Sequence, residues 1–245
     1  MMHGCTVILP TYNEAENIGN MISCIREMYP DFKILVMDDN SKDETKNIVL
    51  RIMESDTNVS FITRDINDKG LSASIIHGIV EVGTELFINM DSDFQHPPSS
   101  LGPMYEVLCS GSADLVIGVR TDRGALPPVR WFASWVAHAM ANFTLKFRGK
   151  QGSGDVMSGL FGGRTGIYRA VIEEHEEEFD RRGFKALFDL LKFAPSDIRM
   201  EEVPFEFGKR QGGESKIGSK VIFSVMRQCG RIGRFMADAC SRVKD

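Results

Sequence analysis

Five short apolar runs, set apart by helix-patterned stretches, do most to limit what this chain can fold into. They are Thr6-Val7-Ile8-Leu9, Lys33 to Met37, Val59 to Ile62, Glu85 to Asn89 and Leu115-Val116-Ile117. Runs this short and this rich in β-branched residues read as strands buried on both faces. Strands that alternate with helices build a mostly parallel sheet covered on each side. Helical patterns fall near 70–82 and 98–110. Asn13 with Glu16, and Ser41 with Glu44, have the spacing of capping boxes, so helices are expected to start there.

The second half breaks the repeat. Residues 121–128 read as a loop, and Arg130 to Phe147 as a helix carrying Trp131, Phe132, Trp135, Met140 and Phe143. Gly152 to Gly163 is glycine-rich, 184–193 reads as a helix, Ile198 to Phe207 as a strand, and 216–243 as a long helix. A chain of 245 residues can bury one sizeable core, and no repeat or linker divides it. The expected organisation is one α/β domain over 1–215, followed by an amphipathic C-terminal helix over 216–245.

Charge separates the same two parts. Beyond residue 215 stand seven basic and two acidic residues, a net +5, which leaves −10 for the preceding residues of a chain of net charge −5. An acidic body excludes general nucleic-acid binding. In the tail Ile222, Val225, Met226, Cys229, Ile232, Met236 and Val243 recur every three or four positions, beside Phe223 and Phe235. Such a basic amphipathic helix suits the headgroup layer of an anionic membrane. The five cysteines are odd in number and scattered, as free thiols in a reducing compartment are. With no basic-then-apolar opening and no apolar run long enough to span, the expectation is a cytoplasmic protein, peripheral at a membrane.

In parallel sheets ligands bind beyond the strands' C-terminal ends. Those ends carry Pro10-Thr11-Tyr12-Asn13-Glu14, then Asp38-Asp39, Asp91-Ser92-Asp93 and Arg120. No G-x-G-x-x-G or G-x-x-x-x-G-K-[ST] occurs, which argues against a dinucleotide fold and a P-loop. Instead, "INMDSDFQHPP" ends a strand on paired carboxylates, and Lys209-Arg210 and Lys216 follow later. Asp91, Asp93 and the Gln95 carbonyl supply hard oxygens for Mg²⁺ or Mn²⁺, which commonly bridge carboxylates to substrate phosphates. His96 reads as a turn residue.

"ILPTYNEAENI", "VMDDNSKDET", "GLSASIIHGI", "NMDSDFQHPP", "VIGVRTDRG", "DVMSGLFGG" and "FGKRQGGESK" follow one another in this chain. In that order they resemble the motifs of family 2 glycosyltransferases, most closely the dolichol-phosphate mannose synthase branch, over about residues 5 to 220. The resemblance implies a GT-A fold, a sugar-nucleotide donor, a divalent metal and inversion at the sugar carbon. It implies that Pro10, Tyr12, Glu14, Met37 and Asp39 hold the nucleoside, and that Asp91, Asp93 and Gln95 hold the metal, with Ser92 lining the donor pocket. Arg120, Arg210 and Lys216 would face phosphate, with Lys185 and Arg130 as weaker candidates. Asp93, Arg120 and Arg210 are the residues expected to carry catalysis. Val156 departs from the family's D-P-x-S-G run.

The implied reaction is transfer of a hexose, mannose from GDP-mannose, to a polyprenyl phosphate. A UDP-sugar donor, a hydroxyl acceptor with Asp155 as base, and an inert binding module are the competing readings. A phosphate nucleophile arrives ionised and needs no base, and no E-D or T-E-D motif marks one mid-chain. The lipid acceptor requires a membrane anchor, and a small membrane-protein partner is an alternative to the tail helix. Truncation after Gly218 is therefore expected to lower binding to anionic liposomes, and salt to weaken binding of the full chain. A truncated protein that stays soluble and binds equally well would exclude the tail as anchor, and one that unfolds would mean that the tail packs on the domain.

Overall fold

All five apolar runs form strands in the computed structural model, which describes residues 4–121, 128–181 and 185–208. They are β1 (Cys5–Thr11), β2 (Lys33–Asp38), β3 (Val59–Thr63), β4 (Leu86–Asn89) and β5 (Leu115–Arg120). Between them lie α1 (Ile18–Met28), α2 (Thr45–Met53), α3 (Leu71–Glu81) and α4 (Leu101–Ser110), the last preceded by a 3-10 turn at Pro98–Ser100. Then come α5 (Pro128–Phe147), β6 (Phe161–Arg164), α6 (Thr165–Glu174), α7 (Ala186–Phe193) and β7 (Met200–Phe205). Helix α5 starts earlier than expected, on Pro128, whose fixed φ and missing N–H suit a first turn.

The strands form one seven-stranded sheet in the order β3-β2-β1-β4-β6-β5-β7. β1 pairs in parallel with β2 and β4, β2 with β3, and β5 with β7. β6 lies antiparallel between β4 and β5. Side chains leave successive residues on opposite faces of the sheet. Ile8, Leu35, Met37 and Phe87 accordingly enter one core with α3, α5, α6 and α7. Val7, Leu9, Ile34, Val36 and Ile88 enter the other with α1, α2 and α4. Burial on both faces is thus what the uniformly apolar runs encode.

One expectation needs correction. The helices do not start in capping boxes: α1 begins after Asn17 and α2 after Glu44, neither with a side-chain cap. Asn13 and Ser41 instead fasten the loop after β1 to the loop after β2. The Asn13 N–H donates to Ser41 Oγ at 2.8 Å, and the Lys42 N–H to Asn13 Oδ1 at 2.7 Å. The glycine-rich stretch runs into a strand, β6. A Cβ on Gly162 would stand 2.6 Å from the Phe87 carbonyl oxygen and 2.8 Å from Ile88 Cγ1. Only glycine lets this strand pair so closely with β4. The helix expected over 216–243 lies outside the described residues.

Gly162→Ala should therefore lower stability by about 1–3 kcal/mol through overpacking. Gly166→Ala, where an added Cβ meets nothing within 4 Å at the start of α6, should be neutral or stabilise by up to about 1 kcal/mol. Urea midpoints of the two variants check the contrast.

Candidate active site

The C-terminal ends of β1, β2, β4 and β5 share one edge, and there the expected residues gather. Asp38 is buried and spent on structure: it accepts from Thr11 Oγ1 at 3.2 Å and from the Ser41 N–H at 2.9 Å. Asp39 is held from two sides, by Arg64 Nη1 on Oδ1 at 3.0 Å and by the Gly70 N–H on Oδ2 at 3.0 Å. Tyr12 is exposed, with the Lys69 ammonium 6.0 Å from its ring centroid. The Glu14 carboxylate accepts from Asn17 Nδ2 at 3.0 Å. Pro10 and Met37 are register partners inside the sheet, and the Met37 side chain lies wholly in the core.

Past β4 the chain turns sharply around His96. Its Nδ1 accepts the Asp91 N–H at 3.0 Å, which puts the ring proton on Nε2 and leaves the imidazole neutral. The ring is buried, edge-on to Phe205 and Phe207 at 5.6 and 6.1 Å between centroids. Burial pushes its pKa down, against an upward pull from Asp91. His96 is thus the turn residue expected of it. Asp93 is buried, and its Oδ1 accepts the Gln95 N–H at 3.1 Å. Phe94 between them has φ of 63°, a left-handed conformation that costs a bulky residue strain and is found mostly where function demands it. The Gln95 backbone carbonyl takes the Gly208 N–H at 2.9 Å. Ser92 is buried, whereas the Asp91 side chain is 38% exposed.

Space in front of Asp91 is kept open by Gly159, where a Cβ would stand 3.3 and 3.5 Å from the two carboxylate oxygens. Asn89 holds that loop in place through Nδ2, which donates to the Gly159 carbonyl at 2.7 Å. Two cations lie within electrostatic reach of this turn. The Arg120 guanidinium lies 3.8 Å above the Phe207 ring. Lys185 donates to the Met157 carbonyl at 2.9 Å; burial lowers its pKa, with Asp155 and Asp91 pulling it up and Arg120 pushing it down. Asp155 closes its turn through its backbone carbonyl, to the Ser158 N–H at 3.0 Å. Its loop is tied to α5 and β7 by Asn142 Nδ2 on the Ser153 carbonyl at 3.2 Å and by Ser153 Oγ on Glu202 Oε1 at 2.8 Å. Val156, the departure from the family pattern, is a core residue with no exposure.

Among the described residues no three His, Cys, Asp or Glu side chains form a ready-made metal cage. Two carboxylates on one turn, beside open space, still fit the way Mg²⁺ or Mn²⁺ binds, with water and phosphate oxygens completing the shell. The side chains of Arg130, Arg210 and Lys216 lie outside the described residues.

The model of glycosyl transferase family 2 matches residues 6–175. The chain belongs to this family. The dolichol-phosphate mannosyltransferase of Mycosarcoma maydis is 30% identical over 243 residues, covering 94% of this chain and 79% of its own. The undecaprenyl-phosphate mannosyltransferase of Micrococcus luteus is 29% identical over 223 residues, covering 88% of each. In structure, this family 2 glycosyltransferase superposes on glucosyl-3-phosphoglycerate synthase from Mycobacterium tuberculosis, solved with Mn²⁺, UDP-glucose and phosphoglyceric acid. The TM-score is 0.60 at 16% identity, over 93% of this chain and 80% of that one. The GT-A type of fold expected from the motifs is borne out.

One part of the edge escaped the sequence. Arg64 follows β3 as Asp39 follows β2, and it pairs with both Asp39 and Asp68, at 3.0 and 2.6 Å. The strand-end rule applied to β3 would have found it.

The neutral His96 gives this glycosyltransferase an acid sensitivity of defined sign. An imidazole whose pKa is depressed by folding stabilises fully above its unfolded value. That contribution is lost as pH falls below about 6.5. His96→Asn, which keeps an acceptor for the Asp91 N–H, should remove this part of the acid slope in urea titrations between about pH 7 and 5.

Proposed function

We propose that the chain transfers a hexose from a sugar nucleotide to a polyprenyl phosphate, with inversion. The donor in this proposal is GDP-mannose. The observation that carries the reading is that Asp91 and Asp93 follow β4 and Arg120 ends β5 on one edge, with Lys185 at the start of α7 within electrostatic reach of Asp91 and Arg120. Both substrates of such a reaction are phosphates, and an edge with carboxylates and cations can hold one through a metal and the other directly. The names of the two mannosyltransferases support the same acceptor class.

In this proposal Tyr12, Glu14 and Asp39 meet the nucleoside, and Asp91 and Asp93 hold Mg²⁺ or Mn²⁺. That ion neutralises charge developing on the leaving diphosphate. Arg120, Arg210 and Lys216 offer phosphate fixed positive charge, and arginine can do so with two parallel hydrogen bonds. The acceptor phosphate attacks the sugar carbon already ionised, so no side chain has to remove a proton. Helix α5 supports a membrane contact. Trp135, Phe143 and Phe147 on it are 56%, 71% and 86% exposed, and no acidic residue occurs from 128 to 154. Aromatic rings on an acid-free helix suit the headgroup layer. No helix among the described residues is long and apolar enough to cross a membrane.

The position of Asp155 near Lys185 favours one second reading, a hydroxyl acceptor with Asp155 as base. Incubation with labelled GDP-mannose, or UDP-glucose in parallel, and membrane lipids decides between them. Label should enter the organic phase; label appearing only in water-soluble glycan would overturn the proposal. Asp93→Asn should abolish metal-dependent nucleotide binding and leave the fold intact, as calorimetry with and without Mn²⁺ can show. Asp155→Asn should slow transfer by well under the roughly 10²–10⁴-fold that loss of a general base costs. Arg210→Lys should hurt more, because the ammonium loses the guanidinium fork.

A further inference from the structure

Away from the Asp91 turn, five charged side chains, Asp39, Arg64, Asp68, Arg181 and Glu176, form a continuous chain. Arg64 is buried, its side chain only 1% exposed. Its Nη1 donates to Asp39 Oδ1 at 3.0 Å and to Ser74 Oγ at 3.2 Å, and its Nη2 to Asp68 Oδ2 at 2.6 Å. Arg181 grips the same Asp68 with two bonds, Nε to Oδ1 at 3.0 Å and Nη2 to Oδ2 at 2.6 Å. The Arg181 carbonyl accepts the Ala73 N–H at 3.1 Å, and the neighbouring Asp180 N–H donates to Asp189 Oδ2 at 3.0 Å.

A buried guanidinium costs several kcal/mol unless it is well paired; Arg64 has two carboxylate partners on its Nη atoms, while its buried Nε has no hydrogen-bond partner. Stability alone accounts less well for Arg181. It is one-third exposed, and exposed ion pairs contribute little. A two-bond grip does fix direction, however. Burial pulls the Asp68 pKa upward, but Arg181 and Arg64 outweigh it and hold the group ionised. The chain of contacts ends at residues with assigned tasks. On one side is Asp39, which Arg64 and the Gly70 N–H aim. On the other is α7, which Asp189 ties to the Asp180 N–H and which starts directly after Lys185, itself fixed to the Met157 carbonyl.

We propose that Asp68 is a positioning residue that serves both ends of the transferase site. Through Arg64 it orients the Asp39 carboxylate toward the nucleoside; through Arg181 and the neighbouring Asp180–Asp189 bond it steadies α7, at whose start Lys185 stands. The ligands in this statement rest on the proposed function; the geometry does not. Cutting one link should therefore harm one kinetic constant. Arg64→Met should raise the donor KM about tenfold with kcat little changed, and Arg181→Met should lower kcat about tenfold with donor KM little changed, within the roughly 10–100-fold typical of supporting residues. Asp68→Asn should do both, and Asp68→Glu should recover part of each.

The test is steady-state kinetics of these four full-length variants with GDP-mannose, alongside hydrogen exchange without ligand. Asp68→Asn should speed exchange in residues 64–76 and in 177–190 together, with α1 unchanged. Parallel loss of kcat and KM in every variant, or faster exchange confined to 65–70, would overturn the inference. If Arg64→Met fails to fold, Arg181→Met and Asp68→Glu still carry the kinetic split. If the wild-type protein transfers no hexose and binds neither GDP nor UDP, the proposed function has failed, and the exchange pattern alone decides the role of Asp68.

Discussion

A strand buried on both faces can offer a ligand nothing but its end. That constraint governs this glycosyltransferase. With Ile8 and Phe87 committed to one core and Val7 and Ile88 to the other, the polar chemistry has to begin where β1, β2, β4 and β5 run out. The sheet acts as a jig. Its parallel register brings Thr11 beside Asp38, its loops deliver Asp39 and Asp91 to one edge, and β5 ends there on Arg120. Asp39, Asp91 and Arg120 inherit their rigidity from an apolar core that they never enter.

What the sequence made legible follows from the same fact. The doubly buried strands were readable because their composition is uniform, and their ends were readable once the strands were known. Asp39, Asp91, Asp93 and Arg120 needed no more than that. β6 was hidden for a physical reason: Gly162 and Gly163 have no strand preference of their own, and Phe87 and Tyr168 impose their conformation from outside. The helix starts were misjudged because Asn13 and Ser41 have the chemistry of caps, yet their partners lie 28 and 29 positions away. Spacing within a loop cannot show that. Arg64 stayed unnoticed because a lone arginine after a short strand resembles any surface cation until its burial is seen.

Charge is handled differently on the two sides of the site. Around Asp39 it is paired, through Arg64 and Asp68 to Arg181, which also reaches Glu176 at the surface. Around Asp91 it is open, a half-exposed carboxylate facing space that Gly159 leaves clear. A paired network suits a group that must keep one orientation, and an open one leaves a carboxylate room to take a partner from outside the chain. In the low-dielectric edge of a sheet, fixed dipoles and charges act at nearly full strength because little has to reorganise.

The antiparallel placement of β6 has a consequence for how the site comes into being. Contacts among the ends of β1, β2 and β3 are local: Thr11 and Asp38 are 27 positions apart, Arg64 and Asp39 25. The bond that seats the other side joins Asn89 to Gly159 across 70 positions. Closing the longer loop costs only about 0.8 kcal/mol more in chain entropy, but β6 has no intrinsic preference to offset it. The expected order of folding is β1 to β3 first and the Asp91 side later, with pulse-labelled exchange able to see the gap. During that interval the growing chain would carry half a binding edge, already shaped for one end of a substrate it could not yet use.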